Sequence, residues 1–359
     1  MSLHFHPLRV ARVTPDTDEA VLIDFEVPPD LREAFAFEPG QYLTLRHDID
    51  GEDLRRSYSS CAGLDDGRLR VGVRAVPGGR FSTWLHRGLS AGDTLQVLPP
   101  QGRFRTVPQP ERARHVLGIA AGSGITPILA IAKTVLAREP RSRCTLIYGN
   151  RTQRSTMFKE ELEDLKNRHL TRLVLHHVFS QEDTDAPLAS GRLDEAGLAR
   201  FLGPLVDPAG IDEAFVCGPF GMNEAAEAAL RAAGVPGERI HVERFGAPLA
   251  DAREAQRHAP APGDAPQATV SVVRDGLTRE VPYRDGHGSV LDAIAAMGLE
   301  APYSCKSGVC ATCRCKVTEG RVRMDRNFAL SAEEVAAGFV LSCQAHPLTE
   351  RVTVSFDER

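Results

Sequence analysis

The chain has 359 residues, 42% of them hydrophobic and 25% charged. That is the balance of a soluble globular protein with room for two or three domains at roughly 150 residues each. A net charge of −5 with no basic stripe excludes the phosphate-neutralising surface that a nucleic-acid partner requires. Eight cysteines would read as disulfides in a short secreted chain, but this chain is long and shows no apolar leader after Met1. We therefore expect a cytoplasmic protein whose thiols stay reduced and serve chemistry.

In chain order, residues 1–110 read as β. Short apolar runs at 20–27, 41–45, 69–75 and 94–98 are separated by Gly, Pro and Asp, the punctuation of a barrel or sandwich, of which an antiparallel β-barrel is expected. Residues 111–247 change rhythm. Apolar strands at 116–120, 144–148, 173–178 and 213–216 alternate with helical stretches, the pattern of a parallel sheet in an α/β domain. Residues 116–132 make an uncharged run of 17, short of the ~20 that cross a bilayer. Gly122-Ser123-Gly124 and Pro127 interrupt it, so it reads as strand, turn and helix rather than membrane span. Residues 248–267 are rich in Ala and Pro and read as a linker. Residues 268–359 return to strands, with a helix near 290–297 and a crowd of cysteines, an α+β domain.

The cysteines carry the sharpest signal. Cys305, Cys310 and Cys313 are followed by Cys343, giving C-x4-C-x2-C…C, the spacing of a plant-type [2Fe–2S] centre. A zinc ribbon would present two C-x2-C pairs, and only Cys310/Cys313 forms one. Cys315 falls outside the pattern and reads as packing. Pro302-Tyr303-Ser304-Cys305 through Cys343-Gln344-Ala345, with the strand after it, resembles the plant-type ferredoxins. That resemblance implies a β-grasp-type domain with Cys305, Cys310, Cys313 and Cys343 as metal ligands.

Two further motifs sit where phosphates and flavins bind. Arg56-Ser57-Tyr58-Ser59 follows an apparent strand, with Pro39-Gly40-Gln41-Tyr42 upstream, and Gly78-Gly79-Arg80-Phe81-Ser82-Thr83 opens a short helix whose first amides would be free for a phosphate. Together they resemble the flavin domain of the ferredoxin–NADP reductase superfamily. The resemblance implies FAD, with Arg56 on its pyrophosphate, Tyr58 stacked on the isoalloxazine, the Ser59 hydroxyl near flavin N5, and the Ser82 and Thr83 amides on phosphate. Ser57 and Gly79 join the cofactor-binding set as members of the same motifs.

In the α/β region, Gly122-Ser123-Gly124-Ile125-Thr126-Pro127 turns from a strand into a helix. Gly122 and Gly124 permit the turn, Thr126 can cap, and Pro127 is preorganised for a first helical turn facing a pyrophosphate. Cys217-Gly218-Pro219 makes a second such turn, and in the superfamily this turn lies beside the nicotinamide. Cys217 thereby joins Ser59 as a candidate catalytic residue. The second strand ends in Tyr148-Gly149-Asn150-Arg151-Thr152-Gln153-Arg154, with two arginines and no acid. An arginine there suits a 2′-phosphate, so NADPH is expected, on Arg151 or Arg154, with NADH as the alternative. By resemblance Phe245, ending the domain, is a cofactor contact. His176-His177 point to opposite sides of a strand and read as packing or surface. His241 and Glu243 share a strand face without a metal motif.

The order of flavin, nucleotide and ferredoxin domains resembles the reductase components of multicomponent bacterial oxygenases. Within that family, Tyr148–Arg151, His241–Phe245 and the segment Met324–Leu330 look most like the phenylacetyl-CoA epoxidase reductases. The implied activity is electron transfer from NADPH through FAD and a [2Fe–2S] cluster to di-iron oxygenase subunits. The alternatives are an NADH-dependent reductase of a ketosteroid or ring-hydroxylating oxygenase, or a non-catalytic electron carrier.

Overall fold

A computed structural model describes residues 3–246, 258, 261–284 and 286–358. The chain forms two compact units, one spanning His6–Phe245 and the other Gly246–Arg359 with Met1–Phe5.

The first unit opens with β1 (His6–Thr17), β2 (Ala20–Glu26), β3 (Tyr42–Ile49), β4 (Glu52–Ser59), β5 (Leu69–Arg74), helix α1 (Arg80–Arg87) and β6 (Thr94–Val97). The six strands make one antiparallel sheet in the order β4-β3-β6-β1-β2-β5. Its two edges meet through a Ser60–Val71 bridge, so the sheet curls shut as a barrel. Inward residues such as Leu8, Val10, Ile23, Leu43 and Leu45 are fully buried, as alternation along barrel strands requires.

The α/β layer follows: β7 (His115–Ala121), α2 (Ile125–Arg138), β8 (Arg143–Asn150), α3 (Lys159–Arg168), β9 (Leu173–Phe179), α4 (Glu195–Ala199), β10 (Glu213–Gly218), α5 (Phe220–Ala232) and β11 (Ile240–Arg244). Its five strands are parallel in the order β11-β10-β7-β8-β9. The uncharged run 116–132 thus resolves into β7, a tight turn at Gly122–Gly124 and the start of α2. No helix among the described residues is long and apolar enough to cross a membrane.

Barrel and α/β layer share a core. Ala20, Leu22, Cys61 and Phe104 pack in one cluster with Ile128, Leu129, Phe158 and Phe215. Asp16 of β1 accepts the Phe158 amide on both carboxylate oxygens at 3.1 Å. Phe158 is left-handed (φ 57°) and precedes α3, so the barrel carboxylate stands at that helix start. This shared apolar interior is why the two sequence-defined regions fold as one unit.

The second unit contains β12 (Gln267–Arg274), β13 (Leu277–Arg284), α6 (Val290–Ala296), β14 (Arg314–Glu319), β15 (Val322–Met324), α7 (Ala332–Ala336), β16 (Phe339–Leu341), β17 (Ala345–Pro347) and β18 (Arg351–Ser355). A mixed sheet runs β13-β12-β18-β14-β16, with β12 and β18 its parallel pair, and β15 pairs with β17. Helix α6 buries Val290, Leu291 and Ile294 in the unit's core and starts with a Ser289/Asp292 capping box. Of the expected linker 248–267, residues 248–257, 259 and 260 lie outside the described residues.

Candidate functional site

The C-terminal ends of parallel strands leave free helix N-termini on one side of a sheet, and ligands of α/β folds bind there. Here β7 ends at the Gly122–Gly124 turn and β10 at Cys217-Gly218-Pro219. Gly122 is left-handed (φ 54°), and the Tyr148 hydroxyl donates to its carbonyl at 2.9 Å. A β-carbon on Gly124 would lie 2.1 Å from the Cys217 carbonyl oxygen, so only glycine lets the two turns meet. Thr126 is buried and donates to the Ser123 carbonyl at 2.9 Å, which fixes the turn. The Ile125 amide that opens α2 closes the preceding turn on the Gly122 carbonyl, and Ala121 before that turn offers no side-chain cap, so the end open to a ligand is the Gly122–Gly124 turn. Gly124→Ala is expected to cost roughly 1–3 kcal/mol through overpacking. Thermal melts would show this, together with a raised KM for the nicotinamide nucleotide.

Cys217 is fully buried and pairs in register with Glu243 of β11. The Ser59 hydroxyl, 2% exposed at the end of β4, donates to the Glu243 carboxylate at 3.1 Å. Asn223, fully buried on α5, donates its side-chain amide to the Glu243 carbonyl at 2.9 Å and fixes the strand end. Burial pushes the Glu243 carboxyl up to about 8, against the Ser59 hydrogen bond that favours the anion. Burial, and then the Glu243 charge, raises the Cys217 thiol well above its ordinary value. Ser59, Cys217 and Glu243 therefore form a constellation that is largely uncharged at neutral pH. Glu243 was visible in the sequence only as a strand-face neighbour of His241. Its signal is its register opposite Cys217, which no local motif encodes. His241 itself stacks on Phe215 at 4.7 Å and serves packing.

On the barrel side, the Tyr58 ring stacks near Phe81 of α1 at 6.4 Å, and burial lifts its phenol above the ordinary range. Ser57 faces Thr44 at 3.2 Å. Arg56 is exposed and donates to the Arg55 carbonyl at 2.7 Å. Helix α1 starts at Gly79 with no side-chain cap. The Ser82 hydroxyl is occupied, accepting the Val76 amide at 3.2 Å and donating to the Gly79 carbonyl at 3.3 Å. The Thr83 amide closes the first turn on the Gly79 carbonyl at 3.1 Å, so the uncapped donors are the amides before it. A phosphate placed by sequence on the Thr83 amide is better served by those earlier ones.

Arg151 and Arg154 lie past β8, as expected, but both are engaged by the β1–β2 turn. Arg151 and Arg74 share Glu19, and Arg154 sits 2.7 Å from Asp18. Those acids come from the other end of the sequence and were invisible in the local motif. Gly218 packs under Met222, and Pro219 precedes α5. Phe245 is 46% exposed just past β11.

In the second unit, the loop between α6 and β14 carries Cys305, Cys310 and Cys313, and the turn after β16 carries Cys343. Cys305 lies against Cys310, and Cys313 against Cys343. Two pairs of soft sulfur donors are what two tetrahedral irons ask of four cysteines. Lys306, Gly308 and Ala311 all have positive φ (52°, 77° and 57°). Left-handed backbone at three nearby positions turns amides inward; the Ser307 amide donates to Cys305 Sγ at 3.4 Å. Two of those residues carry side chains, so the loop stores strain that a bound cluster must compensate. Gln344, fully buried and unremarked in the sequence, donates to the Lys306 carbonyl at 3.1 Å and the Cys343 carbonyl at 2.9 Å. It buckles the loop to the Cys343 turn. Cys61, Cys144 and Cys315 are buried among apolar side chains, and burial pushes the Cys144 and Cys315 thiols up to about 12.

The comparisons with known proteins follow the same three-part division. The chain matches an oxidoreductase FAD-binding domain family over residues 10–106, an oxidoreductase NAD-binding domain family over 119–228 and a 2Fe-2S iron-sulfur cluster binding domain family over 272–348. It is 48% identical to the E subunit of 1,2-phenylacetyl-CoA epoxidase from Escherichia coli (strain K12), covering 99% of this chain and 98% of that one. It is 35% identical to the ferredoxin reductase component of 3-ketosteroid-9-alpha-monooxygenase from Rhodococcus rhodochrous, covering 97% and 96%. Its fold is shared with phthalate dioxygenase reductase, at a TM-score of 0.60, 24% identity and 98% coverage of each chain. The chain belongs to the family of oxygenase reductase components built on a ferredoxin–NADP reductase module with a C-terminal [2Fe–2S] domain: it is an NAD(P)H-dependent flavin iron–sulfur oxidoreductase.

Proposed function

We propose that the chain passes electrons from NADPH to the di-iron oxygenase subunits of a phenylacetyl-CoA epoxidase. The observation that carries the reductase chemistry is the Ser59–Glu243–Cys217 constellation, in the same chain as two paired thiol sets. The identity to the Escherichia coli protein supports the choice of acceptor. The residues fit the groups. The uncapped starts of α1 and of the Gly122–Gly124 turn before α2 suit phosphates, Tyr58 offers an aromatic platform backed by Phe81, and the left-handed loop turns amides toward sulfur. When bound, FAD takes a hydride and gives up electrons singly, and the cluster accepts them one at a time. The chain's part is to hold and tune. Gly122, Gly124, Gly218 and Pro219 shape the nucleotide floor, with Thr126 locking the turn. Ser59 and Glu243 keep a proton where hydride arrives, and Cys217 walls that site with a neutral thiol. Arg56, Ser57, Gly79, Ser82 and Thr83 line the flavin side, and Phe245 closes the end of the domain. A cytoplasmic location fits eight cysteines with no disulfide among them.

Anaerobic mixing tests this reading. NADPH is expected to bleach the flavin and then the cluster, faster than NADH at equal concentration. Inertness to both nucleotides would overturn a reductase. Reconstitution with epoxidase oxygenase subunits should support turnover; failure there, with success on a ketosteroid or ring-hydroxylating oxygenase, would reassign the acceptor. The nucleotide preference has its own test in Arg151. Because Glu19 already neutralises part of its charge, Arg151→Ala is expected to raise the KM for NADPH roughly 5–30-fold, the worth of one charge-assisted bond of about 1–2 kcal/mol. The KM for NADH should barely move. Equal changes for both nucleotides would remove Arg151 from the 2′-phosphate and leave Arg154.

A further inference from the structure

Outside the cysteine loop, three ligand atoms of the second unit converge. His258, Asp325 and His346 bring one donor each to within 4.8 Å of one another. His258 Nδ1 lies 2.7 Å and His346 Nε2 2.8 Å from the same Asp325 oxygen. All three side chains are shielded, at 11%, 17% and 4% exposure. From these positions we propose that His258, Asp325 and His346 form a second metal site, distinct from the iron–sulfur loop, that takes a divalent transition ion of the zinc class. Two imidazoles and one carboxylate on a tetrahedral ion leave one position for water.

The surroundings support this more strongly than the three residues alone. A ligating imidazole donates its other ring N–H to an oxygen acceptor that fixes its tautomer. One ring has such a partner within hydrogen-bond reach, and the other has a carboxylate nearby. His346 Nδ1 faces the Tyr283 hydroxyl at 3.3 Å, and His258 Nε2 faces Asp292 at 3.7 Å. The second oxygen of Asp325 is held by Arg323, whose guanidinium also forks onto Asp264 at 2.5 and 2.6 Å. His346 and Asp325 are thus oriented from behind, and Arg323 occupies a different carboxylate oxygen from the two imidazoles. Burial lowers the His346 imidazole below its ordinary value, against the opposing pull of Asp325.

Charge does not forbid the ion. Asp264, Asp292 and Asp325 face Arg323 and Lys306, and Lys306 pairs with Asp292 at 3.2 Å. With both histidines neutral the group carries one net negative charge, so a cation is favoured. A proton on either imidazole would also supply one, which is the competing account. The consequence of an ion is mechanical: His258 precedes β12, while His346 follows the Cys343 turn, so the ion would fasten the incoming chain to the strand behind the cluster.

The test is a zinc titration of the intact FAD- and cluster-loaded chain by calorimetry, with the visible cluster bands followed in parallel. One equivalent of zinc should bind while the cluster spectrum holds. Asp325→Asn and His258→Ala, chosen because His346 is too buried to replace safely, should each weaken binding by about 100-fold or more, since second-sphere losses alone cost 10–100-fold. Three results would overturn the site: no stoichiometric zinc, zinc uptake that bleaches the cluster, or affinity unmoved by both substitutions. Zinc-independent imidazole titration with no metal bound would assign the group to proton binding instead and also overturn it. Because the readout is zinc affinity, this outcome is separable from failure of the reductase reading.

Discussion

Cys310→Ser is expected to abolish delivery to every acceptor that depends on the cluster, while NAD(P)H oxidation with a flavin-linked artificial acceptor stays within about twofold, as for changes at distant independent sites. The geometry explains both halves. Cys305 lies against Cys310 and Cys313 against Cys343, so an iron held by the first pair would lose one of its two protein sulfurs with Cys310. A serine hydroxyl is a harder donor with a far higher pKa than a thiol, and soft sulfur is what holds such iron. Cys310 is also partly exposed, whereas Cys313 and Cys343 are 2% and 1% exposed in the unit's core. Replacing either of those would mix ligand loss with a packing defect; Cys310 isolates the ligand. The Ser59–Glu243–Cys217 constellation lies in the other compact unit, which has its own cores. Absorption spectra, iron content and paired acceptor assays would check the result. Loss of both activities would contradict an order in which the flavin precedes the cluster. Cys315→Ala is the control: that residue is fully buried on β14 and should leave iron content unchanged while costing modest stability.

What the sequence made legible was local. C-x4-C-x2-C, Arg56–Ser59 and Gly122–Pro127 each place chemistry within a single loop or strand end, and a loop's residue types carry its backbone needs with them. What stayed hidden was built across strands. Glu243 reaches Ser59 from 184 positions away, and its role depends on parallel pairing that puts it opposite Cys217. Glu19 and Asp18 answer Arg151 and Arg154 from the first barrel hairpin. The same holds for Gln344, which reads as an ordinary neighbour of a cysteine until its amide is seen spanning to Lys306. Barrel and α/β layer were separable by rhythm, because strand and helix periodicities are local. Their fusion into one unit rests on Phe104, Phe158 and Leu22 meeting in three dimensions, which periodicity does not record.

Glu243→Gln is expected to slow flavin reduction by NAD(P)H by about 100-fold, the low end of what a positioned acid–base group contributes, and to flatten its pH profile. Glu243 holds its proton to about 8 because burial penalises the carboxylate more than the Ser59 bond favours it. At neutral pH the constellation therefore presents a neutral carboxyl, a hydroxyl and a neutral thiol. In the proposed role these face the incoming hydride, and above pH 8 the carboxylate would bring negative charge there, so the wild-type rate should fall. The side-chain amide that the substitution introduces cannot ionise, so the variant should show no inflection. The stability sign follows from the same proton. Between 4.5, its ordinary value, and about 8 the folded chain binds a proton that the unfolded chain releases. Rising pH thus erodes stability across that window and stops eroding it above. The melting temperature of the variant should gain on the wild type as pH is raised from about 5 to about 9. Glu243→Ala removes the acceptor for the buried Ser59 hydroxyl as well, adding a loss of about 1–3 kcal/mol at every pH. A purely structural Glu243 would lower stability in both variants and leave the inflection near pH 8 in place; stopped-flow rates and melts on the same samples separate the two.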